Sequence, residues 1–137
     1  MKIIAIIFSV ILLTGCFDSD DTQAKAKESV QLGQSTFEKN CATCHGVGAQ
    51  GLTEDWKQKL PNGKYPAPPL NGTAHAWHHS PQTLLMTINN GGVALGGWMP
   101  GFKDQLTQNE KQALLDYIYS LWPESIKQKY DQRFNAQ

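Results

Sequence analysis

The sequence predicts a small all-α domain, and three segments carry that prediction. Near the C-terminal end, "LTQNEKQALLDYIYSLWP" places Thr107 three residues before Glu110, the reciprocal cap that starts a helix. Leu114, Tyr117, Ile118, Leu121 and Trp122 then recur at helical spacing as an apolar stripe. Upstream, "SVQLGQSTFEKNCATCH" sets Val30, Gly33, Phe37 and Cys41 along one helical face. Between the two, Ser80 suits an N-cap, Pro81 the first helical position and Gly91 the C-terminal stop, with Leu84, Leu85 and Ile88 as the apolar side. The chain has 137 residues, enough for one compact domain.

The first segment stands apart from that domain. Lys2 precedes "IIAIIFSVILL", an apolar run from Ile3 to Leu13. A bilayer takes about 20 such residues, so the run is too short to span one and fits the apolar part of an export signal better than a core helix. "LTGC", Leu13 to Cys16, resembles the lipobox of bacterial lipoprotein signals. That resemblance implies cleavage after residue 15 and lipid on Cys16; a plain signal cut near Gly15 is the simpler alternative. Residues 1–15 are therefore expected to be a signal peptide.

Residues 16–28 follow as an expected lipid-anchored tether. "FDSDDTQAKAKE" is charged and nearly free of large apolar side chains, a composition that leads us to expect flexible chain. Extended, its length would reach about 40 Å. Residues 29–137 are expected to form the folded domain.

Charge excludes one class of partner. The chain has 12 basic and 12 acidic residues. Removal of residues 1–15 takes away only Lys2 and leaves a formal charge of −1. No basic cluster of the kind that nucleic acid requires is present, so none is expected as a partner.

The helix beginning near Ser29 runs into "CATCH". With Cys16 assigned to lipid, Cys41, Cys44 and His45 remain, in the C-x-x-C-H spacing of c-type haem attachment. Two thiols on one helical turn can add to the two vinyl groups at one edge of the porphyrin, and the next residue sets an imidazole under the iron. A structural zinc site wants four ligands and has no second pair here. A redox C-x-x-C wants a βαβ setting that the following Gly- and Pro-rich chain does not offer. A plain disulfide leaves His45 without a role.

After His45 the chain reads as loop through Gly72, with one helical turn expected around Thr53–Lys59. So much irregular chain in a compact domain needs something else to fill the core, and a haem would do so. Past Trp122, Pro123 ends one helix or starts another, and "ESIKQKYDQRF" fits a short amphipathic helix.

The iron has a sixth position to fill. Met86 lies among core-like residues of the Pro81 helix and reads as a buried gap-filler. Met99, in "GGWMPGF", sits in a stiff loop able to approach a flat cofactor, and is the expected ligand. His75, His78 and His79 in "TAHAWHHS" are the rivals, either on the iron or as a separate metal site.

Gly33, Phe37, Cys41, Cys44, His45, Pro68–Leu70, Met99–Phe102, Leu114 and Tyr117 together resemble the class I c-type cytochromes over residues 29–123. The resemblance implies a small all-α cytochrome c-like fold, with N- and C-terminal helices crossing around one covalently bound haem c. It implies that Gly33 and Phe37 pack on Leu114 and Tyr117, and that the carbonyl of Pro69 accepts a hydrogen bond from His45. With His45 and Met99 on the iron, the expected function is a one-electron carrier, not an enzyme. Its expected partners are redox proteins of a respiratory or other electron-transfer chain. Its expected place is the periplasmic or outer face of a bacterial membrane, held by the lipid on Cys16. The alternatives are a peroxidase-like or gas-binding haem enzyme with a labile sixth ligand, and a metal-binding module using His75, His78 and His79.

Overall fold

The computed structural model describes residues 18–135. The expected signal peptide and Cys16 lie outside them. Among the described residues there are five α-helices and no strand: α1 Asp18–Asn40, α2 Ala42–His45, α3 Pro81–Asn90, α4 Gln108–Ser120 and α5 Glu124–Phe134. Two short 3₁₀ turns, Ala76–His78 and Val93–Leu95, flank α3.

The α1–α4 crossing is the centre of the fold. It is possible because α1 carries Gly33 where α4 presents its backbone: a Cβ there would overlap the Ala113 carbonyl and the Tyr117 side chain. One step along the same face, Phe37 is fully buried, with its ring 5.4 Å from that of Tyr117. Leu114, Leu115, Ile88, Phe102 and Leu106 complete this core. Ser29 Oγ donates to Asp116 Oδ2 and marks the outer edge of the crossing.

The helix ends follow the local sequence. Thr107 Oγ1 accepts from the Glu110 backbone N–H, and the Glu110 carboxylate accepts from the Thr107 N–H at 2.8 Å. Ser80 Oγ accepts from the Thr83 N–H, Pro81 opens α3, and Gly91 at φ 75° closes it. Lys111 is buried in α4 and donates its ammonium to the Lys103 carbonyl at 2.9 Å. The amphipathic tail is α5. Its Tyr130 packs with Trp122, Ile118 and Ala76 in a second cluster, and Tyr119 Oη donates to Asp131 at 2.7 Å.

Two expectations differ from the structure. Helix α1 extends back through Asp18–Glu28, where irregular chain was expected. Asp20 and Asp21 lie at the positive end of its dipole, and Ala24 to Glu28 are strong helix formers; residues 20–28 are nonetheless exposed. Conversely, Thr53–Lys59 forms no helix. It holds a turn in which Asp55 accepts from the N–H groups of Lys57 and Gln58, an arrangement that competes with helix.

Candidate functional site

The site begins where α1 gives way to α2. The Cys41 N–H still donates to Phe37, and both the Cys44 and His45 N–H groups donate to the Cys41 carbonyl, so the motif is wound as one helical turn. Gly46, at φ 80°, then reverses the chain. The Gly51 N–H donates to the His45 carbonyl and the Leu70 N–H to the Ala49 carbonyl, which ties the loop to the proline segment.

That tie decides what His45 meets. Its Nδ1 lies 2.8 Å from the carbonyl oxygen of Pro68, not Pro69 as expected. The register of a proline segment is set by its loop hydrogen bonds, and here Leu70 on Ala49 brings the carbonyl two residues earlier to the ring. A carbonyl can only accept, so Nδ1 carries the proton and Nε2 the free lone pair. Burial holds the His45 pKa below the usual histidine value, against the raising effect of the Pro68 bond. The imidazole is thus neutral near pH 7, as a metal ligand must be.

Cys41, Cys44, His45 and Met99 line one cavity of about 780 Å³, with the proline segment, Leu84, Trp98 and Phe102 among its other walls. Met99 reaches it on a loop fixed to the end of α3. The Gly92 N–H donates to the Met99 carbonyl and the Phe102 N–H to that of Ile88. A Cβ on Gly91 would collide with the Met99 carbonyl, and one on Gly101 with that of Asn89. Trp98 Nε1 donates to the Tyr65 carbonyl at 2.6 Å, which ties the loop to another segment that lines the cavity.

Met86 differs from its expected role. It is 60% exposed on the outer side of α3 and does not line the cavity, because Leu84, Leu85 and Ile88 already fill the inner side. The three histidines also part company. His75 and His79 line the cavity, while His78 packs edge-on against Trp77 at 3.9 Å. Among the described residues no group of three or more His, Cys, Asp or Glu side chains is placed to hold a metal ion. The alternative of a metal-binding module using His75, His78 and His79 finds no support among the described residues.

The thiols themselves argue against a redox dithiol. Both are free. Burial, with Cys44 nearby, pushes the Cys41 pKa up to about 11, whereas a reactive thiolate needs a lowered value. A neutral imidazole, a thioether and two thiols around a large, mostly apolar space fit a haem, which would take its axial ligands from His45 and Met99 and supply one-electron iron chemistry there.

An all-helical domain with a C-x-x-C-H turn opening on such a cavity has the architecture of a cytochrome c domain. The chain belongs to the family described as "Cytochrome C oxidase, cbb3-type, subunit III", which matches residues 28–118, and a family of this kind carries haem c. It is 36% identical over 99 residues to the cbb3-type cytochrome c oxidase subunit FixP of Sinorhizobium medicae (strain WSM419), covering 68% of this chain and 30% of that protein. It is 32% identical over 109 residues to the FixP subunit of Azorhizobium caulinodans (80% and 31%), and 35% over 96 residues to subunit CcoP of Rhodobacter capsulatus (65% and 28%). The chain thus spans under a third of the length of these relatives. No solved structure gives a significant match.

These matches correct one expectation. The sequence alone points to a class I c-type cytochrome that is not itself an enzyme. The chain's family is described by a subunit of an oxidase, and its relatives are named as subunits of cbb3-type cytochrome c oxidase, an enzyme complex. Among the described residues no helix is long and apolar enough to cross a membrane.

Proposed function

We propose that the chain is an electron-carrying cytochrome c component that delivers electrons to, or within, a cbb3-type oxidase of a respiratory chain. One haem is bound through thioether bonds from Cys41 and Cys44, with His45 Nε2 and Met99 Sδ on the iron. The observation that carries this reading is the His45–Pro68 contact. It fixes the tautomer and raises the basicity of the imidazole in a cavity that Met99 also lines.

His45 and Met99 would hold a bound haem iron from both sides and leave no open position, and the group would supply one-electron chemistry, which suits electron transfer rather than oxygen chemistry. The relatives' names support the respiratory setting. The "LTGC" stretch supports export and attachment by lipid on Cys16 to a bacterial membrane, with the domain on its periplasmic or outer face.

Acid-acetone extraction of the denatured protein, with optical spectra of the native one, tests the site. Haem retained on the polypeptide and a reduced spectrum unchanged by carbon monoxide are expected. Haem that leaves the chain, or binds carbon monoxide freely, overturns it. Fractionation of cells carrying Cys16→Ser tests the anchor: the protein should leave the membrane, and lipid-free protein remaining there overturns that part.

A further inference from the structure

We propose that His75 and His79, with Lys57, form the pole of the cavity that receives the two carboxylates of the haem, and that a proton on this pole is coupled to the electron on the iron. The inference deepens the proposed function and rests on it.

The lining of the cavity is one-sided in charge. Among the described residues that line it there is no aspartate or glutamate. Besides His45, its cation-forming side chains are Lys57, His75 and His79, and these three stand together. The His75 and His79 rings meet edge-on with centroids 5.5 Å apart. Trp56 stacks on His75 at 5.1 Å, and the Lys57 ammonium lies over the Trp56 ring at 5.4 Å. The stack places these groups at one corner of a cavity whose walls are otherwise mostly apolar.

Such a grouping disfavours itself. Burial first, then His79, His78 and Lys57, hold the His75 pKa below the usual value. Three groups able to carry positive charge are thus gathered at one edge of a cavity whose described lining holds no acid, and a carboxylate entering the cavity is the anion that suits them. A haem attached through its vinyl groups has its two carboxylates on a different edge, and these need counter-charge or hydrogen-bond donors when the body is buried.

The coupling follows from charge. The ferric state carries one more positive charge than the ferrous state and disfavours a proton on the nearby imidazoles. On one-electron reduction by a redox partner, the rim takes up part of a proton from water. On oxidation the rim releases it. The relation is reciprocal, so the reduction potential falls as pH rises through the histidine range.

The test uses the haem-loaded protein. Its reduction potential is measured from pH 5 to 9 for the wild type, for His75→Gln/His79→Gln and for Lys57→Gln, with the far-red charge-transfer band of ferric iron bound to a thioether sulfur as a check that the iron keeps its ligands. The wild type should show a potential that falls with pH. The double variant should show a flat one. Lys57→Gln should have a lower potential throughout and its pH-dependent step moved upward, because less repulsion faces His75. A wild-type potential independent of pH, or a double variant that keeps the wild-type slope, overturns the inference while leaving the haem reading intact. A wild-type protein that carries no haem overturns both.

Discussion

Gly33 and Ala113 approach so closely that a Cβ on Gly33 would overlap the Ala113 carbonyl oxygen and carbon. The obstacle is backbone of α4, which cannot swing aside as a side chain could. Gly33→Ala should therefore destabilise the protein, by about 1–3 kcal/mol or more as overpacking does, despite the better helix propensity of alanine. Denaturant unfolding of the holoprotein measures it. Unchanged stability would show that the helices can separate at no cost.

Met99 and Met86 should behave oppositely. Met99→Ala should abolish the far-red ferric band, lower the reduction potential and open the iron to carbon monoxide. Met86 is exposed, so Met86→Ala should keep the spectrum and change stability by no more than about 0.5 kcal/mol. Survival of the band in Met99→Ala would place the sixth ligand elsewhere.

The haem-free chain should not hold its native loops. An empty cavity of about 780 Å³ leaves the side chains that line it without packing partners on one side. In Cys41→Ser/Cys44→Ser lacking haem, amide exchange should show loss of protection over residues 46–80 and 91–101. Native-like protection there would mean that the polypeptide core suffices.

Tyr119 and Tyr130 make the C-terminal packing sensitive to alkali. Burial raises both pKa values to about 12, and for Tyr119 the hydrogen bond to Asp131 adds to it. The folded state therefore keeps protons that the unfolded chain loses near pH 10. Stability from these groups is fully present below pH 10 and falls as pH rises from 10 to 12. Tyrosinate absorbance should titrate late in the native protein, and Asp131→Asn should move Tyr119 earlier. A normal titration near 10 for both rings would contradict their burial.

Much of this was legible in the chain. The Thr107–Glu110 cap, the Ser80–Pro81–Gly91 boundaries and the α1 face through Gly33 and Phe37 are local patterns, and each appears as expected. The class of site was equally plain, since C-x-x-C-H is a contiguous turn. What eluded sequence reasoning depends on which face a residue ends up on or on loop register. Met86 sits one residue after two leucines, and only the rotation of α3 decides that it points outward. Pro68 and Pro69 are chemically alike, and only the bond between Leu70 and Ala49 selects the first. His75 and His79 both line the cavity, and His75 stacks on Trp56, a contact between segments that no spacing reveals. The early turns of α1 were signalled by acids at the dipole's positive end and a run of strong helix formers, but low apolar content argued the other way.

Those early turns change how the domain explores its surroundings. Alone, so short a helix would be marginal in water, but here it propagates from turns already packed on α4 and needs no new nucleus. At about 1.5 Å per residue, the exposed part from Asp20 to Glu28 is a rod of roughly 13 Å instead of a coil. A coil spreads its cargo through a volume, whereas a rod hinged at its far end confines it to a shell. If the chain is held at Cys16, a partner fixed at the height of that shell meets the domain at a raised effective concentration, and one set nearer or farther meets it rarely. Helix α1 would then act as a gauge of distance as well as one half of the core.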